Sequence, residues 1–553
     1  MMSLGQHQVF VHETPAGHVS WTPVLNAAVY YVDRHIEEGR GEKTAIYYLD
    51  QTFTYGQVAE MVNRAGNTLR SLGILREQRV LLLLLDCPAF AAAFFGAMKI
   101  GAVPIPVNTL LTPADYLYIL QDSRATAAVV SAELLPGLLE VKHQLSYLQH
   151  ILVVPPLENP QSFTVPTDLG LYDWDEALAG AKPFLEPEAT SADEAAFWLY
   201  SSGTTGFPKG TIHLHHDMIV CSATYGRHVL NITENDITYS VARLFFAYGL
   251  GNALYFPFGA GAATVLNPYR PEPVKVLEIV QKYRPTLYFG VPTSYTAILQ
   301  VPEAAQRYDL SSIRFCASAG EALPRPIFEQ WLATFGLPIY DGIGSTEMAH
   351  IFITNKPGAY KAGSSGTLVP GYRARIISEG REVPVGEIGN LMVSGDSAAA
   401  GYWNKHEKSK ETFQGSWINT GDKYYKDAEG YYWHVGRSDD MLKAGGIWVS
   451  PMEVENILME HPAVLESVVI GHIDEDGLSK PKAFVVLKPG FEPGPAMVKE
   501  LQNHVKKSAA PYKYPRWIEF VDSLPRTASG KIRRYVLRNL STAVPAENSQ
   551  AGA

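Results

Sequence analysis

Residues 200–210 read Tyr200-Ser201-Ser202-Gly203-Thr204-Thr205-Gly206-Phe207-Pro208-Lys209-Gly210. Glycines, the hydroxyls of Ser201, Ser202, Thr204 and Thr205 and one ammonium, Lys209, stand together with no acid among them. Such a loop turns backbone N–H groups and hydroxyls toward a phosphate chain while the lysine adds positive charge. It is not a P-loop, because Pro208 precedes the lysine and Gly210 follows it. The chemistry it suggests is polyphosphate binding.

Three later segments carry compatible chemistry. In Tyr340-Asp341-Gly342-Ile343-Gly344-Ser345-Thr346-Glu347, glycines admit a flat ligand, Asp341 can accept from an exocyclic amine, and Glu347 can hold Mg²⁺ through oxygen. In Trp417-Ile418-Asn419-Thr420-Gly421-Asp422 and Gly436-Arg437, a carboxylate can accept from both ribose hydroxyls with a guanidinium alongside. Near the C-terminus, Arg526-Thr527-Ala528-Ser529-Gly530-Lys531 is basic and glycine-hinged. Any one of these alone reads as a solvated loop. Four in this order do not.

The elements around them read as layered α/β. Residues 44–49 alternate like a strand, and Thr54 with Gln57 forms a capping box ahead of apolar residues at helical spacing that stop near Gly73. Strand-like runs at 80–85, 127–130, 151–154, 264–266, 286–289 and 313–317 alternate with helical stretches, which predicts a mostly parallel sheet. Residues 216–229 read as a helix. Short strands at 374–393 form a small β unit that closes the large domain. Beyond Met441 a helix at 453–459, strands at 467–471 and 482–487 and a helix at 497–506 make a separate, compact α+β domain.

Composition limits the function classes. The 553 residues are long enough for more than one domain, and 46% hydrophobic with 18% charged residues describes a globular chain. A net charge of -10 without a basic block argues against nucleic acid as a partner. Cys87, Cys221 and Cys316 lack metal or disulfide spacing and read as buried thiols. The apolar region 80–107 is interrupted by Asp86, Pro88, Lys99 and Pro104, so it is no bilayer span, and a cytoplasmic protein without a membrane partner is expected.

Taken together, the four segments resemble the adenylate-forming superfamily of acyl-CoA synthetases, adenylation domains and luciferases over nearly the whole chain. Phe245-Phe246-Ala247-Tyr248-Gly249-Leu250-Gly251-Asn252, Ala317-Ser318-Ala319-Gly320-Glu321-Ala322-Leu323-Pro324 and Met348-Ala349-His350-Ile351-Phe352 are similar to the benzoate-CoA ligase branch. The resemblance implies an aryl acid, ATP with Mg²⁺, and coenzyme A as co-substrates, with an acyl-adenylate formed first and a thioester second. It also implies a nucleotide- and acid-binding domain over 1–436, a hinge at 437–440 containing Asp439, and a mobile domain over 441–553.

On these positions it implies that Lys531 and Thr346 serve the α-phosphate, that Glu347 carries Mg²⁺, and that Ser201, Ser202, Gly203, Thr204, Thr205 and Lys209 cover the outer phosphates. Gly320, Glu321, Ala322, Asp341 and Ile343 frame the adenine, and Asp422 and Arg437 hold the ribose. Ile343 stands where many members carry an aromatic, so apolar contact replaces stacking. Phe246, Ala247, Tyr248, Gly249, Ala319, Gly342, His350 and Ile351 form the acid pocket, where His350 either touches an ortho substituent or packs in an apolar wall. Phe246 occupies a gate position where some relatives have histidine. Gly445, Gly446 and Trp448 line the pantetheine path. Benzoate is the expected acid, with 2-aminobenzoate or hydroxybenzoate, and a stand-alone enzyme loading a carrier protein, as alternatives. A homodimer is compatible with all of these, and a sensor without turnover would be expected to have lost at least one of Thr346, Glu347, Asp422, Arg437 and Lys531.

Overall fold

The computed structural model describes residues 11–14, 16–158, 160, 163–165, 170–203, 206–437, 442–444, 447–474, 479–510, 513–527 and 531–542. Of the expected site residues, Thr204, Thr205, Asp439, Gly445 and Gly446 lie outside them, as do the side chains of Ser202 and Trp448.

A helix that is apolar on every side has to be covered on every side. That describes Pro88–Lys99, all of whose residues are buried. It packs against Tyr55–Ser71, which opens on the expected Thr54/Gln57 capping box. The two helices meet at glycines: a Cβ on Gly66 would lie 2.9 Å from the Gly96 carbonyl oxygen, and a Cβ on Gly96 2.9 Å from the Gly66 nitrogen. Lys99, at the end of the buried helix, is neutralised by Asp33 at 2.7 Å and also donates to Asn63.

Two sheets carry the large domain. The wider has nine strands in the order Thr367–Leu368, Ile351–Thr354, Ile339–Gly344, Phe315–Ser318, Leu287–Gly290, Ile237–Ser240, Ala263–Leu266, Thr44–Tyr48 and Gln51–Thr54. From Ile339–Gly344 to Thr44–Tyr48 neighbouring strands are parallel, and the outer strands on both sides run antiparallel. The second sheet, Val103–Pro106, Arg79–Leu83, Ala127–Ser131, His150–Val154 and Leu171–Asp173, is wholly parallel. These strands cover the runs anticipated from periodicity, and the three cysteines are buried free thiols.

Three features differ from the sequence reading. The stretch 200–210 is largely strand: Ala195–Gly203 pairs antiparallel with Gly206–Leu214, with Gly203 opposite Gly206, so the expected phosphate loop belongs to a hairpin. The helix expected over 216–229 begins with Asp217–Cys221 and widens into a π-helical turn, Ser222–Gly226. The small β unit is larger than 374–393. Arg373–Ser378, Arg381–Glu382 and Gly389–Ser394 extend through Trp417–Lys426, which pairs with Phe413–Gln414 and Tyr432–Arg437.

After this sheet comes a unit with its own buried cluster. Leu442, Val449, Val454, Leu458, Val469, Val485, Leu501 and Val505 all come from beyond residue 441. Helix Pro451–Met459 and strands Val464–Ile473 and Ser479–Leu487 run as anticipated, with Trp517–Phe520 added in parallel. Among the described residues no helix is long and apolar enough to cross a membrane.

Candidate active site

In an open parallel sheet, ligands bind where the strands end in their C-terminal direction. Strands Phe315–Ser318 and Ile339–Gly344 end side by side, Ser318 paired with Asp341, and so bring Ala319, Gly320 and Glu321 next to Gly342, Ile343 and Gly344. Asp341 is 4% exposed, and burial pushes its carboxyl well above the usual range. Its Oδ1 is buried without a hydrogen-bond partner, which suits an acceptor for an amine of a bound base.

The hairpin expected to take phosphate is braced from three sides. Phe207 stacks on Tyr118 at 4.7 Å, and the Tyr118 hydroxyl donates to the Pro208 carbonyl. Tyr200 donates to Asp122 at 2.7 Å, and Trp403 donates through its indole to the Asp122 carbonyl and through its backbone N–H to Gly210. On the hairpin, Ser201 Oγ is buried without a partner, and so is Ser345 Oγ on the facing turn.

That turn, Thr346–Met348, follows strand Ile339–Gly344 directly and holds Thr346 and Glu347. The ring nitrogens of His213 face the Thr346 carbonyl and the Asp217 carboxylate, each at 2.8 Å, from a position with no side-chain exposure. Phe197 stacks on the same ring. Glu347 accepts from the Tyr402 hydroxyl at 2.6 Å, and its carbonyl accepts from the Ala399 N–H. Burial pushes the Lys209 ammonium down from its ordinary value, against the pull of Glu347.

Asp422 and Arg437 are register partners on adjacent strands, and their side chains pair at 3.0 Å. His434 lies 3.6 Å from the same carboxylate oxygen, Oδ1. Burial alone would raise the Asp422 carboxyl. His434 and Arg437 outweigh it, and the group is held below the usual carboxylate range.

The acid-pocket candidates converge in part. Helix Ala247–Leu250 places Tyr248 beside His350, whose Nε2 donates to the Tyr248 carbonyl and to Asn252 Oδ1. Tyr225, Tyr248, Tyr255 and Phe256 surround the His350 ring within 6.3 Å, and burial pushes its pKa down to about 3. This is the histidine packed in a wall, permanently neutral near pH 7. A Cβ on Gly342 would come within 3.1 Å of Ile351, so these two line one surface. Phe246 meets Phe245 edge to face ahead of the helix, and Ala319 is 3% exposed.

From the C-terminal unit, the Ile532 N–H donates to Glu321 Oε1 at 2.9 Å, and Arg526 lies 4.0 Å from the other oxygen. Burial raises the Glu321 carboxyl, opposed by that N–H and then by Arg526, Lys531 and Arg534. Glu321, expected beside the adenine, thus also fastens the tail loop to the large domain. Lys531 adjoins this contact, its N–H bonded to Thr527 Oγ1.

Among the described residues no three His, Cys, Asp or Glu side chains cluster as a protein-only metal site. The donor set fits Mg²⁺ in the other common manner, one carboxylate completed by substrate phosphates and water. Sequence reasoning overlooked Tyr402 and His213. The only signal for His213 was a histidine alternating with Thr211 on the inward face of a strand, and nothing in Gly401-Tyr402-Trp403 announced Tyr402.

A family model described as AMP-binding enzyme matches residues 32–403, and its companion, AMP-binding enzyme C-terminal domain, matches 453–531. Benzoate–CoA ligase of Thauera aromatica is 48% identical over 93% of this chain and 96% of its own. Among solved structures, the anthranilate CoA ligase AuaEII in complex with anthranoyl-AMP superposes with a TM-score of 0.89 at 43% identity, covering 94% of this chain and 98% of that one. A benzoate CoA ligase from Burkholderia xenovorans LB400 gives 0.85 at 44% identity, covering 93% and 100%.

Proposed function

The chain belongs to the AMP-binding, adenylate-forming enzymes, in the benzoate–CoA ligase branch, and from that premise we propose that it is an ATP-dependent aryl-CoA ligase acting on benzoate or a close relative. The observation that carries the reading is an orphaned buried carboxyl, Asp341, where strands Phe315–Ser318 and Ile339–Gly344 run side by side, close to the aromatic wall of Tyr248 and His350, with no lysine or arginine among the eight acid-pocket positions.

In the first step the aryl carboxylate attacks the α-phosphorus of ATP. An oxygen–phosphorus bond forms, the bond to the bridging oxygen breaks, and pyrophosphate leaves with the electron pair. Lys531 neutralises charge shared by the carboxylate and the α-phosphate, and Thr346 donates to the latter. Ser201, Lys209 and the neighbouring loop hydroxyls take the outer phosphates. Asp341 accepts from the adenine amine, while Asp422, kept ionised by His434 and Arg437, accepts from the ribose. Mg²⁺ on Glu347 supplies positive charge to phosphate oxygens when bound.

In the second step the thiol of coenzyme A adds to the acyl carbon, its proton is lost, and the carbon–oxygen bond to AMP breaks. For this the segment over 441–553 turns about residues 437–440, Asp439 included, and exchanges Lys531 for Gly445, Gly446 and Trp448. The proposal extends to a cytoplasmic setting and to a homodimer.

A second candidate substrate is 2-aminobenzoate, since an anthranilate CoA ligase is among the similar solved structures, at 43% identity. The test is pyrophosphate release across benzoates, straight-chain acids and heteroaryl acids, followed by thioester formation with free coenzyme A. Aryl acids are expected to react fastest. Faster release with medium-chain fatty acids overturns the substrate class, and release without thioester formation transfers the reading to a carrier-loading enzyme.

A further inference from the structure

Lys209 and Glu347 carry opposite charges in one site, and a direct ion pair between them would withdraw both from a phosphate–metal ligand. What stands between them is a phenol. Strand Gly401–Tyr402 is zipped onto the phosphate hairpin, with Tyr402 opposite Thr211. The N–H groups of Ala400 and Trp403, on either side, donate to the hairpin carbonyls of Ile212 and Gly210. Tyr402 is 7% exposed, and its ring packs edge to face on Phe413 at 5.2 Å.

The phenol oxygen is shared by the two charges. It donates to Glu347 Oε1 at 2.6 Å and accepts from Lys209 Nζ at 3.5 Å, while that ammonium also lies 4.4 Å from the ring centroid. A charge-assisted O–H···O⁻ bond of this length fixes the carboxylate, and the ring face holds the ammonium while leaving its other N–H groups available.

We propose that Tyr402 is a positioning residue for adenylate formation, holding Glu347 and Lys209 apart and aimed, so that one carboxylate oxygen remains for a divalent cation and the ammonium for polyphosphate. The proposal rests on the aryl-CoA ligase reading and assigns Tyr402 a part played through Glu347 and Lys209. Removing the hydroxyl while keeping the ring frees the carboxylate to swing onto Lys209.

The test is Tyr402→Phe in the full chain, with four readouts. Mn²⁺ affinity in the presence of an α,β-methylene ATP analogue, followed by electron paramagnetic resonance, is expected to weaken about tenfold, the scale of one hydrogen bond to a charged group. The Mg²⁺ concentration that half-saturates pyrophosphate release rises in step, while thioester formation from supplied aryl-adenylate and the thermal midpoint stay at wild-type values. Unchanged Mn²⁺ affinity with unchanged Mg²⁺ dependence overturns the proposal. So does an equal loss in both half-reactions with a lowered midpoint, since mere packing would produce that. If the wild-type protein releases no pyrophosphate with any aryl acid, the functional reading fails instead, and the Mn²⁺ measurement still decides the part played by Tyr402.

Discussion

Single side chains do their work here through what surrounds them. His350 shows this most clearly: an imidazole ringed by aromatics with its Nε2–H already committed has its pKa pushed down to about 3, so it enters the wall uncharged. The linkage has a definite sign. The unfolded chain takes up a proton at this residue as pH falls through about 6.5, the folded chain does not, and stability from this group is lost on the acid side. Replacing His350 by Gln should therefore make the loss of unfolding free energy between pH 7 and pH 5 about 2 kcal/mol smaller than in wild type. Paired denaturation curves at the two pH values measure it, and identical losses would contradict the assignment. The types of residue at this scale were legible in the sequence, since Lys209, Asp341, Glu347, Asp422 and Arg437 all stood out as groups with chemistry. Their partners were not. Tyr402 and His213 act through register and burial, on a strand two hundred positions away or on a face no single residue reveals.

Elements turn these groups toward one another. The expected loop at 200–210 is a hairpin tip because alternation continues through Ile212 and Leu214, and a strand of only two residues, Gly401–Tyr402, ties it down. So short a strand leaves no periodicity to read. By contrast the parallel strand ending at Ser318 was legible as the apolar run 313–317, since a strand buried on both faces is apolar throughout. Helix Ala247–Leu250 depends on close approach: a Cβ on Gly249 would run into the Arg243 carbonyl. Gly249→Ala should cost about 1 to 3 kcal/mol of stability by overpacking and raise the KM for the aryl acid more than that for ATP, as thermal melts and initial rates would show. The tail loop makes a second element-scale contact, the Ile532 N–H on Glu321. Losing one hydrogen bond to a charged group in Glu321→Ala should slow pyrophosphate release about tenfold and leave thioester formation from supplied adenylate unchanged. Equal slowing of both would assign Glu321 to the nucleotide alone.

For the whole molecule the layered α/β body and the separate C-terminal unit were legible, because strand and helix periods alternate throughout and the apolar residues beyond 441 suffice for their own cluster. What no periodicity could supply is the meeting of the two parts, a contact between residues 321 and 532 that sequence spacing does not encode. The central claim is that the tail's ammonium, delivered to the nucleotide cradle, is needed for the first half-reaction and leaves before the second. Lys531→Ala tests it in one measurement of both half-reactions. The account predicts adenylate formation down on the order of a hundredfold, the scale of one lost preorganised donor, with thioester formation from supplied aryl-adenylate near the wild-type rate. An equal loss in both half-reactions would contradict it.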